Sequence, residues 1–267
     1  MSRHALAGVA AIFALALAVP AGASAWAPAA SAPVHPGVQV FTDGAKCTAN
    51  FVFTSGGATY LGQAAHCSGT GSSTDTDGCT SASLPLNTPV TVTGASKPGA
   101  LAYNSWLIMQ AGGEADEETC AYNDLALIKL DPADVAKTNP SIPKWGGPTG
   151  VGTAAALDDI YSYGNSELRQ GITQLSPKRG KVVEVSPGGW SYTLYTLTPG
   201  IPGDSGSAFL NADGQALGIL STVALAPLVA SNGVGDIGKE IAYARAHGFP
   251  DLALVDGTEP FKGGLPF

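Results

Sequence analysis

Three short stretches of this 267-residue chain hold residue types that could do chemistry together. Ser205 lies in Pro202-Gly203-Asp204-Ser205-Gly206-Ser207. His66 closes Gly62-Gln63-Ala64-Ala65-His66-Cys67, and Asp124 heads Asn123-Asp124-Leu125-Ala126-Leu127-Ile128-Lys129-Leu130. A hydroxyl is a weak nucleophile until a base takes its proton, and the base needs a third group to fix its tautomer and stabilise its charged form. A serine, a histidine and an aspartate that meet in space satisfy both needs, and the chemistry is attack on a carbonyl carbon. The glycines beside Ser205 suit a sharp turn. The choice of base is narrow, because beyond residue 25 the only histidines are His35, His66 and His247. His35 sits between Val34 and Pro36 in a Pro-rich N-terminal segment expected to be mobile. His247 ends a helical stretch, where a cation suits the helix dipole. Singly, the motifs have plainer readings: Gly-Asp-Ser-Gly as an ordinary turn, and Asp124 as a carboxylate capping the entry to a strand.

Taken together, in the order His66, Asp124, Ser205 and with these flanks, the three stretches resemble the chymotrypsin/trypsin-like serine proteases of the secreted bacterial type. The resemblance runs from about Val38 to Gly248, although between the motifs it rests on strand spacing. Gln63 stands where the family usually has Thr, and Ser207 replaces the last Gly of the Gly-Asp-Ser-Gly-Gly signature. The order excludes α/β-hydrolases, which run Ser, Asp, His and use Gly-x-Ser-x-Gly. The resemblance implies an all-β fold of two antiparallel six-stranded barrels with a C-terminal helix. Its active site would lie in the cleft, with His66 and Asp124 from the first barrel and Ser205 from the second. It implies His66, Asp124 and Ser205 as the triad and the Gly203 and Ser205 N–H groups as the oxyanion hole, with no metal or organic cofactor. Ser221, in Gly218-Ile219-Leu220-Ser221-Thr222-Val223, matches the strand that supports the buried Asp and pairs with the substrate backbone.

Specificity is also an expectation from the family. Counting six residues back from Ser205 reaches Pro199, which cannot pair with Lys or Arg, and no His stands in Gly218–Val223. Pro199, Ser221, Thr222 and Val223 are therefore expected to bind small or apolar side chains, Val223 narrowing an entrance where glycine is common. No Arg-Ile-Val-Gly-Gly activation site occurs between Trp26 and Phe41, so Asp204 should meet an internal cation, Arg169 or Arg179. An esterase for small acyl substrates and a catalytically silent binding module are the alternatives on the same fold.

The rest of the chain must hold these residues in place. From Val38 to Val223 short apolar or alternating stretches are separated by Gly, Pro, Ser, Thr and Asn, which reads as all-β, and 35 Gly and 19 Pro supply the turns. The stretches read as strands are Val38–Phe41, Asn50–Thr54, Tyr60–Ala65, Val90–Thr93, Ser105–Gln110, Leu125–Lys129, Asp159–Tyr163, Lys181–Val185, Ser191–Leu197, Ser207–Leu210 and Ala216–Ala224. Asp236 can cap a helix over Ile237–Ala246 that presents Ile237, Ile241 and Ala244 on one face and stops at Gly248. It is the one convincing helix. The organisation expected is a signal segment over 1–25, an N-terminal segment over 26–37, a first barrel over 38–135, a Pro-rich connection over 136–153, and a second barrel with the helix over 154–267.

Arg3, the apolar run Ala5–Val19 and the small residues Ala21–Ala25 form a secretory signal. A membrane anchor needs about 20 apolar residues, and Pro20 breaks the run first. Cleavage before Ser24 or Trp26 is expected, Trp26 being favoured, and removal of residues 1–25 takes the formal charge from −8 to −9. An acidic chain lacks the clustered Lys and Arg that nucleic acid requires; Lys178, Arg179 and Lys181 read as a solvated turn. A secreted, extracellular monomer that meets polypeptide substrate, without nucleic acid or membrane, is expected. Cys47, Cys67, Cys79 and Cys120 are even in number and exported, which favours disulfides, and no CxxC or HxxxH spacing suggests zinc. Four cysteines allow three pairings. The resemblance implies Cys47–Cys67, which leaves Cys79–Cys120, with Ser68–Ser83 as a surface loop.

Overall fold

The computed structural model describes residues 26–72, 75–223 and 230–266. The expected signal segment lies outside them. Among the described residues no helix is long and apolar enough to cross a membrane.

The first half is a sheet of short antiparallel strands: β1 (Gln39–Thr42), β2 (Ala45–Thr48), β3 (Val52–Ser55), β4 (Ala58–Ala64), β5 (Pro89–Val92), β6 (Gly99–Asn104) and β7 (Leu125–Lys129). Alternation does its usual work in β1 and β5, where every second residue is buried. β7 instead carries the unbroken apolar run Leu125-Ala126-Leu127-Ile128, buried at all four positions, and it sits between β4 and β6. The second half is a closed barrel of β8 (Asp159–Tyr163), β9 (Pro177–Val185), β10 (Ser191–Thr196), β11 (Ala208–Leu210), β12 (Ala216–Val223) and β13 (Asn232–Asp236).

The first half departs from the expected six-stranded barrel. The chain returns after the barrel, and β14 (Ala253–Leu254) pairs with β3, giving eight strands in the order β14-β3-β4-β7-β6-β5-β1-β2. Part of the segment expected with the second barrel thus completes the first sheet. An apolar cluster joins the halves, with Phe51, Phe53 and Leu127 packed among Tyr161, Leu210 and Ile219.

Among the described residues there are four α-helices: α1 (Ser105–Gly112), α2 (Glu117–Tyr122), α3 (Pro132–Val135) and α4 (Ile237–Ala246). α4 begins as expected, the Asp236 side chain accepting from Lys239 N–H. Ser105–Gln110 is helix, not strand. Asn104 caps it by accepting from the Trp106 and Leu107 N–H groups, Gly113 ends it in the left-handed region, and Trp106 and Met109 are buried three apart. A short apolar run does not distinguish the two states by periodicity.

Both disulfides form as the resemblance implies, Cys47–Cys67 and Cys79–Cys120. Each closure stabilises by about 3 kcal/mol on the chain-entropy model. The N-terminal segment is packed rather than loose: Val34 is buried and bridges to Thr138, and Ala27 N–H donates to Thr138 O.

Candidate active site

Register brings His66 and Asp124 together. β4 pairs with β7 so that Ala64 faces Leu125; the residue before β7 and the residue two beyond β4 are therefore neighbours. Ala64 and Ala65 are fully buried, small enough for the chain to turn into a 3-10 segment over Ala65–Ser68 against its neighbours. Asp124 then holds His66 twice. Its Oδ1 accepts the His66 backbone N–H at 2.9 Å and its Oδ2 accepts from Nδ1 at 2.7 Å. Ser221, on β12, donates its hydroxyl to the same Oδ2 at 2.6 Å. With Nδ1–H committed to Asp124, Nε2 is left as the basic nitrogen. The Asp124 side chain is 3% exposed and that of His66 19%, so the acid is closed off and the ring reaches the surface. Burial pulls the imidazolium down, but the Asp124 charge and hydrogen bond more than reverse this, and His66 lies above its ordinary value. Gln63 is fully buried beneath the turn, donating to Ser68 Oγ and accepting from Thr42.

Ser205 belongs to a loop between β10 and β11 that needs its glycines. Gly203 and Gly206 have φ of +94° and +81°, a region L side chains rarely enter. A Cβ on Gly206 would also come within 2.8 Å of Ala64 N and Thr48 O. That close approach docks the loop on the first sheet, and Thr48 reinforces it, its N–H donating to Ser205 O and its hydroxyl to Gly203 O. Ser205 thus lies against the strand end that leads into His66. Its Oγ makes no hydrogen bond to a described residue. The backbone N–H groups of Gly203 and Ser205 also donate to no described residue, as an oxyanion hole requires.

Asp204, fully buried, anchors the loop from inside. Oδ1 accepts Ser166 N–H, and Oδ2 accepts Ile201 N–H, Arg169 Nη2 at 2.5 Å and Lys178 Nζ at 3.0 Å. The internal cations are therefore Arg169 and Lys178. Arg179 pairs with Asp159 at the surface instead. Lys178 is not on a solvated turn: β9 starts at Pro177 and Lys178 is fully buried, also donating to Thr198 O and Pro199 O. Burial, helped by Arg169 and opposed by Asp204, pushes it down to about 8.

The residues expected to bind substrate side chains are less closely gathered. Pro199 is exposed, and its carbonyl accepts from Arg169 and Lys178. Ser221 and Thr222 lie on β12, Ser221 against Asp124, whereas the side chain of Val223 lies outside the described residues. Lys178 was read only as part of a solvated turn, and Glu240, which accepts Asp124 N–H at 2.9 Å, was not singled out by sequence reasoning. The signal for Glu240 was there, since it lies three residues after Ile237 and four before Ala244, on the apolar stripe of α4. Of the other histidines, His247 caps α4 and stacks on Tyr243, and His35 bonds Pro36 O, both away from this site.

No protein-family model matches the sequence, and no curated protein sequence matches it. Solved structures do. The chain is similar to Thermobifida fusca protease A, at 17% identity and a TM-score of 0.54 over 84% of this chain and 99% of that one. It is similar to Nocardiopsis protease, at 15% identity and 0.52 over 83% and 98%. It is also similar to a glutamic acid specific serine protease that uses a histidine triad in substrate binding, at 19% identity and 0.52 over 83% and 100%. The fold is that of the bacterial chymotrypsin-like serine proteases.

Proposed function

We propose that the protein is a secreted serine endopeptidase that hydrolyses peptide bonds through an acyl-enzyme, with His66, Asp124 and Ser205 as its triad. The observation that carries the reading is the double hold of Asp124 on His66, shared with Ser221, beside a glycine loop whose Gly203 and Ser205 N–H groups donate to no described residue. Nε2 of His66 takes the Ser205 proton as Oγ bonds to the scissile carbonyl carbon, while the Gly203 and Ser205 N–H groups hold the oxyanion. The C–N bond then breaks, the amine leaving with the proton from His66. Water, deprotonated by the same nitrogen, attacks the ester, and Ser205 recovers its proton as the acid product departs. No step calls for a metal or cofactor.

Two disulfides and the expected signal segment favour an oxidising, extracellular setting. The substrate is a polypeptide, with small or apolar side chains at the cleavage site. The glutamate preference of one structural neighbour is not carried over, because His66 is the only described histidine at the site.

Digestion of a peptide library by the mature protein tests this. Internal cleavage after small or apolar residues, lost in Ser205→Ala while folding is kept, is the expected result. Turnover of small esters with intact peptides would make the protein an esterase instead, and cleavage by Ser205→Ala at more than a few per cent of the normal rate would overturn the nucleophile.

A further inference from the structure

The C-terminal helix closes the site from behind with an ionisable residue. α4 turns Ile237, Glu240, Ile241 and Ala244 inward, all of them buried, and the three apolar members join the cluster between the two halves. A carboxyl group in such a stripe is costly unless something specific holds it. Glu240 Oε1 accepts the backbone N–H of Asp124 at 2.9 Å, and Oε2 has no partner among the described residues. Asp124 is thereby gripped on two sides: its carboxylate by His66 and Ser221, its backbone by Glu240.

We infer that Glu240 is a positioning residue of the triad, fixing the backbone of Asp124 and so the direction in which its carboxylate meets His66. The inference rests on the triad reading of His66, Asp124 and Ser205. The groups that face Glu240 are acidic or neutral on every side. Asp124 faces it from the head of β7, Asp236 from the cap of α4 and Tyr103 from β6, and Asp236 itself takes the Tyr192 hydroxyl. No cation pairs with Glu240 among the described residues. Burial above all raises it well beyond the carboxylate range; the Asp124 N–H opposes this, and the Asp124 and Asp236 charges add to it. That environment favours the uncharged form of the group, and Oε1 accepts the Asp124 N–H in either form. Neutrality matters, because a second negative charge behind Asp124 would tighten the proton on His66 and spoil it as a base.

Glu240→Gln keeps a neutral acceptor at Oε1, and Glu240→Met keeps the volume without one. The readout is the rate of covalent labelling by diisopropyl fluorophosphate as a function of pH, with kcat and KM on a cleaved peptide. The Gln variant should stay within about twofold of the parent, with the His66 limb of the pH profile unmoved. The Met variant leaves the Asp124 N–H buried and unpaired, and its kcat and labelling rate should fall about tenfold or more at similar KM. A Gln variant as slow as Met, a His66 limb in Gln moved down by about half a pH unit or more, or a Met variant as fast as the parent would overturn the inference. Should Met fail to fold, the limb of the Gln variant still decides. Failure of the parent itself to label would sink the triad reading, not this inference alone.

Discussion

The two halves of the site are held by opposite electrostatics. On the first sheet a single carboxylate, Asp124, is surrounded by the His66 N–H groups and the Ser221 hydroxyl, with Glu240 behind its backbone. In the barrel a single carboxylate, Asp204, is clamped by two full cations, Arg169 and Lys178. The difference follows from what each half must do. In the proposed mechanism His66 gains and loses a proton in every cycle, so its acid must be free to stabilise the imidazolium and cannot be spent on a resident cation. The Ser205 loop must stay still, and a buried ion cluster with the loop's own N–H groups as further donors serves that end.

The comparison breaks first at Asp124. Asp124→Asn keeps the shape and most hydrogen bonds of the site but presents an amide to Nδ1, favouring the wrong tautomer, and kcat should fall by about ten-thousandfold with folding intact. Steady-state kinetics beside a thermal melt would check it, and a loss of only a few fold would mean that another acid orients the ring.

The barrel half should fail differently, in stability as well as rate. Asp204→Ala leaves Arg169 and Lys178 buried without a counter-charge, which should cost about 3–5 kcal/mol in denaturant unfolding and slow turnover by loosening the loop. Lys178→Met, which keeps the Arg169–Asp204 pair and removes a cation that burial disfavours, should be neutral or stabilising. The sign with pH is fixed by the shift. Lys178 lies at about 8 in the fold against an ordinary 10.5, so between those values the unfolded chain binds the proton more tightly. Its contribution to stability therefore rises with pH across that window and is flat below it. Unfolding midpoints measured from pH 7 to 10 should show this slope in the parent and lose it in Lys178→Met. A Lys178→Met protein as unstable as Asp204→Ala would contradict the division of labour.

Much of the site was legible because its motifs carry their own context. His66 came with Ala64, Ala65 and Cys67, and Asp124 came at the head of an unbroken apolar run, which put each at a strand end; that the two ends are adjacent follows from the pairing of β4 with β7. Asp236 as a helix cap was equally plain, since the cap acts within a few residues. What stayed hidden depends on contacts across the chain. Nothing near Lys178 signals that β9 begins one residue earlier and turns that side chain toward Asp204, 26 positions on. Ser105–Gln110 read as strand because its length suited either state, and the decisive capping by Asn104 went unweighed. The return of β14 to β3 rests on a two-residue pairing that no periodicity could announce.

The central claim is that Ser205 is a nucleophile activated by His66, and mass-mapped labelling by diisopropyl fluorophosphate tests it most directly. One adduct per chain, on Ser205, is the predicted result. Its rate should rise with pH through a single limb above 6.5, because the Asp124 carboxylate raises His66, and it should collapse in His66→Ala. No adduct, an adduct on another serine, or unchanged labelling in His66→Ala would contradict the account.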